Sequence, residues 1–266
     1  MKVNNLDLNV QILGDGVPFV WGHGLMSSIA LEDQTGWFDW NILKDIARVV
    51  RYDARGHGLS QSTHSPEGYR WSSLAKDMIA VADQSGLDTF IAGGQSMGCA
   101  TAIYAALEAS ERVKALVLVT PPTAWEARAA QAAIYEQLAA LVEREGVGAL
   151  IGLMQQQSQL PAWLVEAQSQ TAQDYLEMIQ NLDKKELAML LRGAKLCDLP
   201  PRDELKKLSM PALILPWSGD AAHPLAVAEE LARLLPQSHM VVANCIEDVK
   251  AWMELMRGFI TSPSSI

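Results

Sequence analysis

The sequence predicts an α/β protein in which a mostly parallel central sheet is flanked by helices and interrupted by an all-helical insertion. Three observations carry that reading. Short apolar strand segments alternate with helical segments in the first and last parts of the chain. Strands buried on both faces are what a parallel sheet covered by helices requires. The alternation then stops between Thr123 and about Leu196, a stretch rich in Ala, Gln, Glu and Leu with no strand candidate. Finally, Gly94-Gln95-Ser96-Met97-Gly98 joins an apolar run to an alanine-rich one. A serine there is held on a sharp strand-to-helix turn, with its hydroxyl above the sheet edge. With 266 residues, 49% of them hydrophobic, the chain can bury one large core and still carry an insertion.

The elements follow in order. Met1–Val3 and Leu6–Leu13 flank Asn4-Asn5 and read as a hairpin ended by Gly14-Asp15-Gly16. Pro18–Trp21 is a short buried strand leading into Gly22-His23-Gly24, and 32–46 reads as helix. Arg48–Tyr52 is a strand that runs into Asp53-Ala54-Arg55-Gly56-His57-Gly58-Leu59-Ser60. Tyr69–Gln84 has helical periodicity, with Gly86 as its stop. Phe90–Gly93 is the strand before Ser96, Gly98–Ala109 the helix after it, and Val113–Val119 a further strand closed by Pro121-Pro122. The insertion reads as several helices broken at Gly146-Val147-Gly148 and at Pro161. Strand and helix then alternate again through Ala212–Trp217, Pro224–Leu235, Met240–Ala243 and Asp248–Ile260, and 262–266 is a frayed tail. These boundaries divide the chain into a core of residues 1–121 and 199–266 and a helical lid of residues 122–198.

The net charge of −10 and the lack of a Lys/Arg cluster exclude nucleic acid as a partner and disfavour an anionic membrane surface. No apolar run is long enough to span a bilayer, and the polar N-terminus lacks a signal core. Three cysteines in dissimilar contexts suggest reduced thiols. A cytoplasmic protein is therefore expected. No histidine pair has metal-ligand spacing and no Gly-rich phosphate cradle appears, so no metal or cofactor is implied. The expected partner is a small-molecule substrate, neutral or weakly polar, and homo-oligomerisation stays open. Trp21, Trp125, Trp163 and Trp217 are candidates either to line a pocket or to fill the core.

Four motifs stand in a fixed order: Gly22-His23-Gly24-Leu25, Asp53-x-Arg55-Gly56-x-Gly58-x-Ser60, Gly94-x-Ser96-x-Gly98 and Trp217-Ser218-Gly219-Asp220. Together they resemble the α/β-hydrolase superfamily over residues 3 to 260. The resemblance implies a nucleophile, Ser96, and an acid, Asp220, that orients a histidine. It also implies an oxyanion hole from the backbone N–H groups of Met97 and Leu25. Residues Asp53 to Ser60 read as a structural turn. Asp220 reads alternatively as a helix cap.

The sequence departs from the resemblance at the histidine, expected in the loop after the last strand. That loop is Asn244-Cys245-Ile246-Glu247-Asp248-Val249 and holds none. His239, before the last strand, lies at the wrong sheet edge. His223, in Asp220-Ala221-Ala222-His223-Pro224, lies at the right edge and reads either as the general base or as the cap of the helix begun by Pro224. Similar Asp-x-x-His-Pro segments occur in the superfamily without a catalytic role. His23 is the alternative base.

The leading expectation is thus a serine hydrolase acting on a small carboxylic ester, lactone or related carbonyl compound. Its rival is a degenerate member that binds a small ligand without turnover. A third class, lyase or cofactor-free oxygen chemistry, also needs a histidine.

Overall fold

The computed structural model describes residues 1–156 and 160–263. The expected fraying at 264–266 lies outside the described residues. The chain opens with β1 (Lys2–Val3) and β2 (Leu6–Asp7), paired antiparallel around Asn4-Asn5. The strand expected over Leu6–Leu13 is broken at Leu8-Asn9, and its second half is β3 (Val10–Leu13), which joins the main sheet. Then come β4 (Val17–Gly22), α1 (Ile29–Thr35), β5 (Ala47–Tyr52), α2 (Trp71–Gln84), β6 (Phe90–Gln95), α3 (Met97–Glu108) and β7 (Val113–Val119).

The second part of the chain begins with five helices: α4 (Arg128–Glu145), α5 (Val147–Gln156), α6 (Ala162–Ala167), α7 (Ser169–Gln180) and α8 (Lys184–Lys195). It ends with α9 (Arg202–Leu205), β8 (Ala212–Leu215), α10 (Leu225–Leu234), β9 (Ser238–Met240), α11 (Ile246–Lys250) and α12 (Trp252–Thr261). The seven-stranded sheet has the order β3-β5-β4-β6-β7-β8-β9, parallel throughout except for β3 against β5. This is the mixed α/β architecture the alternation predicts.

Each sheet face carries its own apolar cluster. Val20, Met78, Ala92, Ile103 and Leu118 belong to one; Phe19, Trp40, Val117, Leu213 and Trp252 belong to the other. Alternate residues of β4 divide between them, as the period-2 geometry of a strand requires. Four of the inserted helices, α4, α5, α7 and α8, hold a third cluster, including Val142, Leu150, Ile179 and Leu191. Residues Leu25 and Met26 pack against its edge.

Further sequence expectations shift. The helix predicted over 32–46 is α1, which begins earlier and stops sooner. Ser28 caps it by accepting from Leu31 N at 3.2 Å, and Gly36 ends it in the left-handed conformation (φ 66°). The rest of that segment is a loop with one 3-10 turn that buries Phe38 and Trp40. The final helix is two, α11 and α12. The last strand starts at Ser238, so His239 lies within it; its pairing with β8 resumes at Val241 and Ala243 through Ile214 O and Pro216 O.

Candidate active site

Ser96 ends β6 and begins α3 with φ 51° and ψ −106°, a conformation that costs energy for a residue with a side chain. Glycines on both sides make the turn possible. A Cβ on Gly98 would fall 1.9 Å from Gly22 O, and one on Gly94 would fall 2.3 Å from the Gly98 carbonyl carbon. The strand and helix backbones therefore touch, and Ser96 is left projecting at the carboxyl ends of β4 and β6. Met97, the first residue of α3, is buried; its N–H precedes any i−4 carbonyl. Gly24, Leu25 and Ser96 line one cavity, and Met26 turns the chain after them with φ 58°.

Asp220 and His223 follow β8 on a single turn. Asp220 Oδ1 accepts from Ala222 N (2.7 Å) and His223 N (3.2 Å). Its Oδ2 accepts from Trp217 Nε1 and from His223 Nδ1, both at 2.7 Å. A carboxylate only accepts, so Nδ1 carries the imidazole proton. In the neutral ring Nε2 keeps its lone pair, and it lies 2.8 Å from Ser96 Oγ. Burial alone would raise the Asp220 carboxyl; the His223 ring and the N–H donors hold it below its ordinary value. The helix after this turn starts at Leu225 with Pro224 as its cap, one residue later than the sequence suggested.

His23 is not brought to Ser96. Ala54 N donates to its Nε2 at 2.9 Å and its Nδ1 donates to Gly24 O at 2.7 Å, so neither nitrogen can take a proton from a serine. Burial pushes its pKa down, against the pull of Asp53. Beside it, the Asp53–Ser60 segment is a polar knot. Asp53 Oδ1 accepts from Ile29 N and Oδ2 from Asn9 Nδ2 and Leu59 N, while Ser60 Oγ donates to Asp53 O. Arg55 pairs with buried Asp77. His57 is buried against His23, their ring centroids 5.0 Å apart. In the loop where the resemblance placed a histidine, Asn244 N donates to Asp248 Oδ2.

The cavity above Ser96 has a volume of about 840 Å³. Of the four candidate tryptophans, only Trp217 lines it. Trp21 is buried and donates to Glu32, Trp125 donates to Pro200 O, and Trp163 donates to Ser218 O. Sequence reasoning missed Trp37, Tyr135 and Tyr175 on the wall and Glu32 at its edge. It also missed the Trp217 indole as a donor to Asp220. The three-residue spacing of Trp217, Asp220 and His223 was the available signal, because one turn brings such residues together. Burial pushes Glu32 up to about 7, against the opposing effect of Arg51. Among the described residues no group of His, Cys, Asp and Glu is placed to hold a metal ion, and no helix is long and apolar enough to cross a membrane.

Comparison with known proteins agrees with this architecture. The chain is 24% identical over 250 residues to 3-oxoadipate enol-lactonase 2 of Acinetobacter baylyi, covering 91% of this chain and 86% of that protein. Its similarity to Epoxide hydrolase 2 of Siraitia grosvenorii, 27% over 122 residues, spans 44% of this chain and only 36% of that protein. Among solved structures, the enol-lactonase of Burkholderia xenovorans LB400 superposes with a TM-score of 0.84 at 23% identity, covering 98% of this chain and 99% of that one; this likeness shows a shared fold. Residues 17–248 match the family model described as alpha/beta hydrolase fold, and the chain belongs to that family.

Proposed function

We propose that this protein is a serine hydrolase of carboxylic esters or lactones working through a Ser96 acyl-enzyme. The observation that carries the reading is the continuous hydrogen-bonded line from Ser96 Oγ to His223 Nε2 (2.8 Å) and from His223 Nδ1 to Asp220 Oδ2 (2.7 Å). Family membership and the hydrolytic relatives support it. The catalytic base in this reading is His223, on the same turn as the acid, rather than a residue after the last strand.

In the forward step Ser96 Oγ attacks the carbonyl carbon while its proton passes to His223 Nε2. The negative charge on the former carbonyl oxygen is met by the N–H groups of Met97 and Leu25. Losing one such donor typically costs about 3–4 kcal/mol in the barrier. The imidazolium, stabilised by Asp220, returns the proton to the departing alkoxide as the C–O bond breaks. Water then attacks the acyl-enzyme by the same route in reverse, releasing acid and free Ser96. The neutral imidazole of His23 supports the loop bearing Leu25 and transfers no proton. Residues 122–198 serve as the lid over the site.

The test is mass spectrometry after treatment with a serine-directed fluorophosphonate. Single-site labelling of Ser96 that is lost in His223→Ala and kept in His23→Gln is the expected result. Failure of the folded wild-type protein to label would overturn the reading in favour of a ligand-binding protein without turnover.

A further inference from the structure

The cavity wall is far larger and more apolar than a small ester or lactone needs. Helices α4, α5 and α7 contribute Leu138, Met154 and Leu176; α6 contributes Leu164, and Trp37 and Trp217 close the opposite side. Leu138, Met154 and Leu176 pack against the cluster held by α4, α5, α7 and α8, whereas Leu164, Trp37 and Trp217 belong to the cluster beneath the sheet. The space between the two clusters is thus a gap in what would otherwise be one continuous hydrocarbon interior. Apolar side chains facing such a gap lack contacts on one side, and hydrocarbon entering it would restore them. At about 30 Å³ per water-sized group, a cavity of about 840 Å³ holds more than roughly 20 non-hydrogen atoms.

Its charges point the same way. Apart from the Asp220–His223 pair, the acidic and basic side chains of the lining are Glu32 and Arg144 among the described residues. Glu32 is buried and already bonded to Trp21 and Arg51. Arg144 lies at the exposed rim and is held by Glu145 through two hydrogen bonds. Among the described residues no cation is therefore placed inside the cavity to receive a substrate carboxylate, while the Asp220 carboxylate would repel one.

We propose that the site takes neutral esters carrying a hydrocarbon chain of medium length, and rejects chains that end in a carboxylate. This rests on the serine-hydrolase reading above and names its substrate class, larger than the small one the sequence suggested. The chain occupies the gap between the two clusters, and its ester group reaches Ser96 at the sheet edge.

The experiment compares kcat/KM for p-nitrophenyl acetate, butyrate and octanoate, and for the mono-p-nitrophenyl ester of octanedioic acid. Each buried methylene is worth about fourfold, so six added methylenes set a ceiling of roughly 10³ to 10⁴. We expect a rise of at least about 10² from acetate to octanoate, most of it lost when the chain ends in a carboxylate. Met154→Trp, which fills the gap from α5, lowers the octanoate-to-acetate ratio at least about tenfold. Fluorophosphonate labelling of Ser96 is run on the same samples. A flat chain-length profile in protein that labels overturns the substrate class and leaves the serine reading intact. So does efficient hydrolysis of the carboxylate-ended ester that is lost in Arg144→Ala. Absence of both labelling and turnover in folded protein overturns the two together.

Discussion

Asp220→Asn separates orientation of the His223 ring, the proposed base, from mere occupancy of the turn. The wild-type carboxylate meets four donors: two backbone N–H groups at Oδ1, and the Trp217 indole with His223 Nδ1 at Oδ2. An amide has one accepting oxygen and one donating nitrogen. Breaking the two backbone bonds would undo the turn itself, so the oxygen stays at the Oδ1 position and the NH2 faces Trp217 and His223. His223 Nδ1 must then accept, its proton moves to Nε2, and Ser96 faces a donor instead of a lone pair. Forcing that tautomer costs about 10⁴ in kcat in serine triads. The buried Trp217 N–H, now opposite another donor, costs a further ~1–3 kcal/mol of stability. The assay is steady-state kcat on an ester together with urea melts of a double-mutant cycle. In a Trp217→Phe background the opposing indole donor is gone, so the stability penalty of Asp220→Asn shrinks by roughly 1–3 kcal/mol while kcat stays low. A loss of kcat below tenfold, or equal stability penalties in both backgrounds, would falsify the reasoning.

Three further predictions test the surroundings of the site. Burial first, then the neighbouring His23, pushes His57 down to about 3, whereas an unfolded histidine titrates near 6.5. Its native form stays neutral as pH falls while the unfolded chain gains a proton. Its contribution is therefore fully present above about pH 6.5 and is lost through more acidic pH, at up to ~1.4 kcal/mol per pH unit. His57→Gln should flatten that part of the acid loss in urea melts between pH 7.5 and 5.5; equal losses in both proteins would rule it out. Arg128 is buried in α4, donates to Thr123 O, Ala194 O and Cys197 O, and lies 4.5 Å over the Trp71 ring. Arg128→Met strands those carbonyls and should cost about 3–5 kcal/mol, with amide exchange rising in 123–197 before the sheet. Exchange rising uniformly would mean that Arg128 does not tie the ends of the inserted helices together. Gly98→Ala drives a methyl into Gly22 O, which has no side-chain freedom to yield. It should cost at least ~3 kcal/mol, or about 6–12 °C in Tm, and an unchanged Tm would mean that β4 and α3 do not approach so closely.

The architecture and the position of Ser96 were legible in the sequence. Period-2 and all-apolar runs located the sheet strands, and glycines around Ser96 announced a contact between backbones that no side chain would permit. These signals are local: they depend on neighbours within a few residues, where chain geometry leaves little choice. Helix ends were less legible because caps decide them. Ser28 and Gly36 bound α1, yet the apolar residues from Phe38 onward continued its pattern and belong to a buried loop. His223 was named as a candidate, but nothing in Asp220-Ala221-Ala222-His223-Pro224 distinguished a base from a cap. The arrangement on which the proposed base rests is a property of the tertiary structure. It brings Ser96 across 127 positions of sequence to within 2.8 Å of His223, and it occupies both nitrogens of His23 with backbone groups from elsewhere in the fold. The cavity, too, belongs to the tertiary structure. Its walls come from helices that share no sequence motif, and the space between them exists only because two separately packed clusters do not meet.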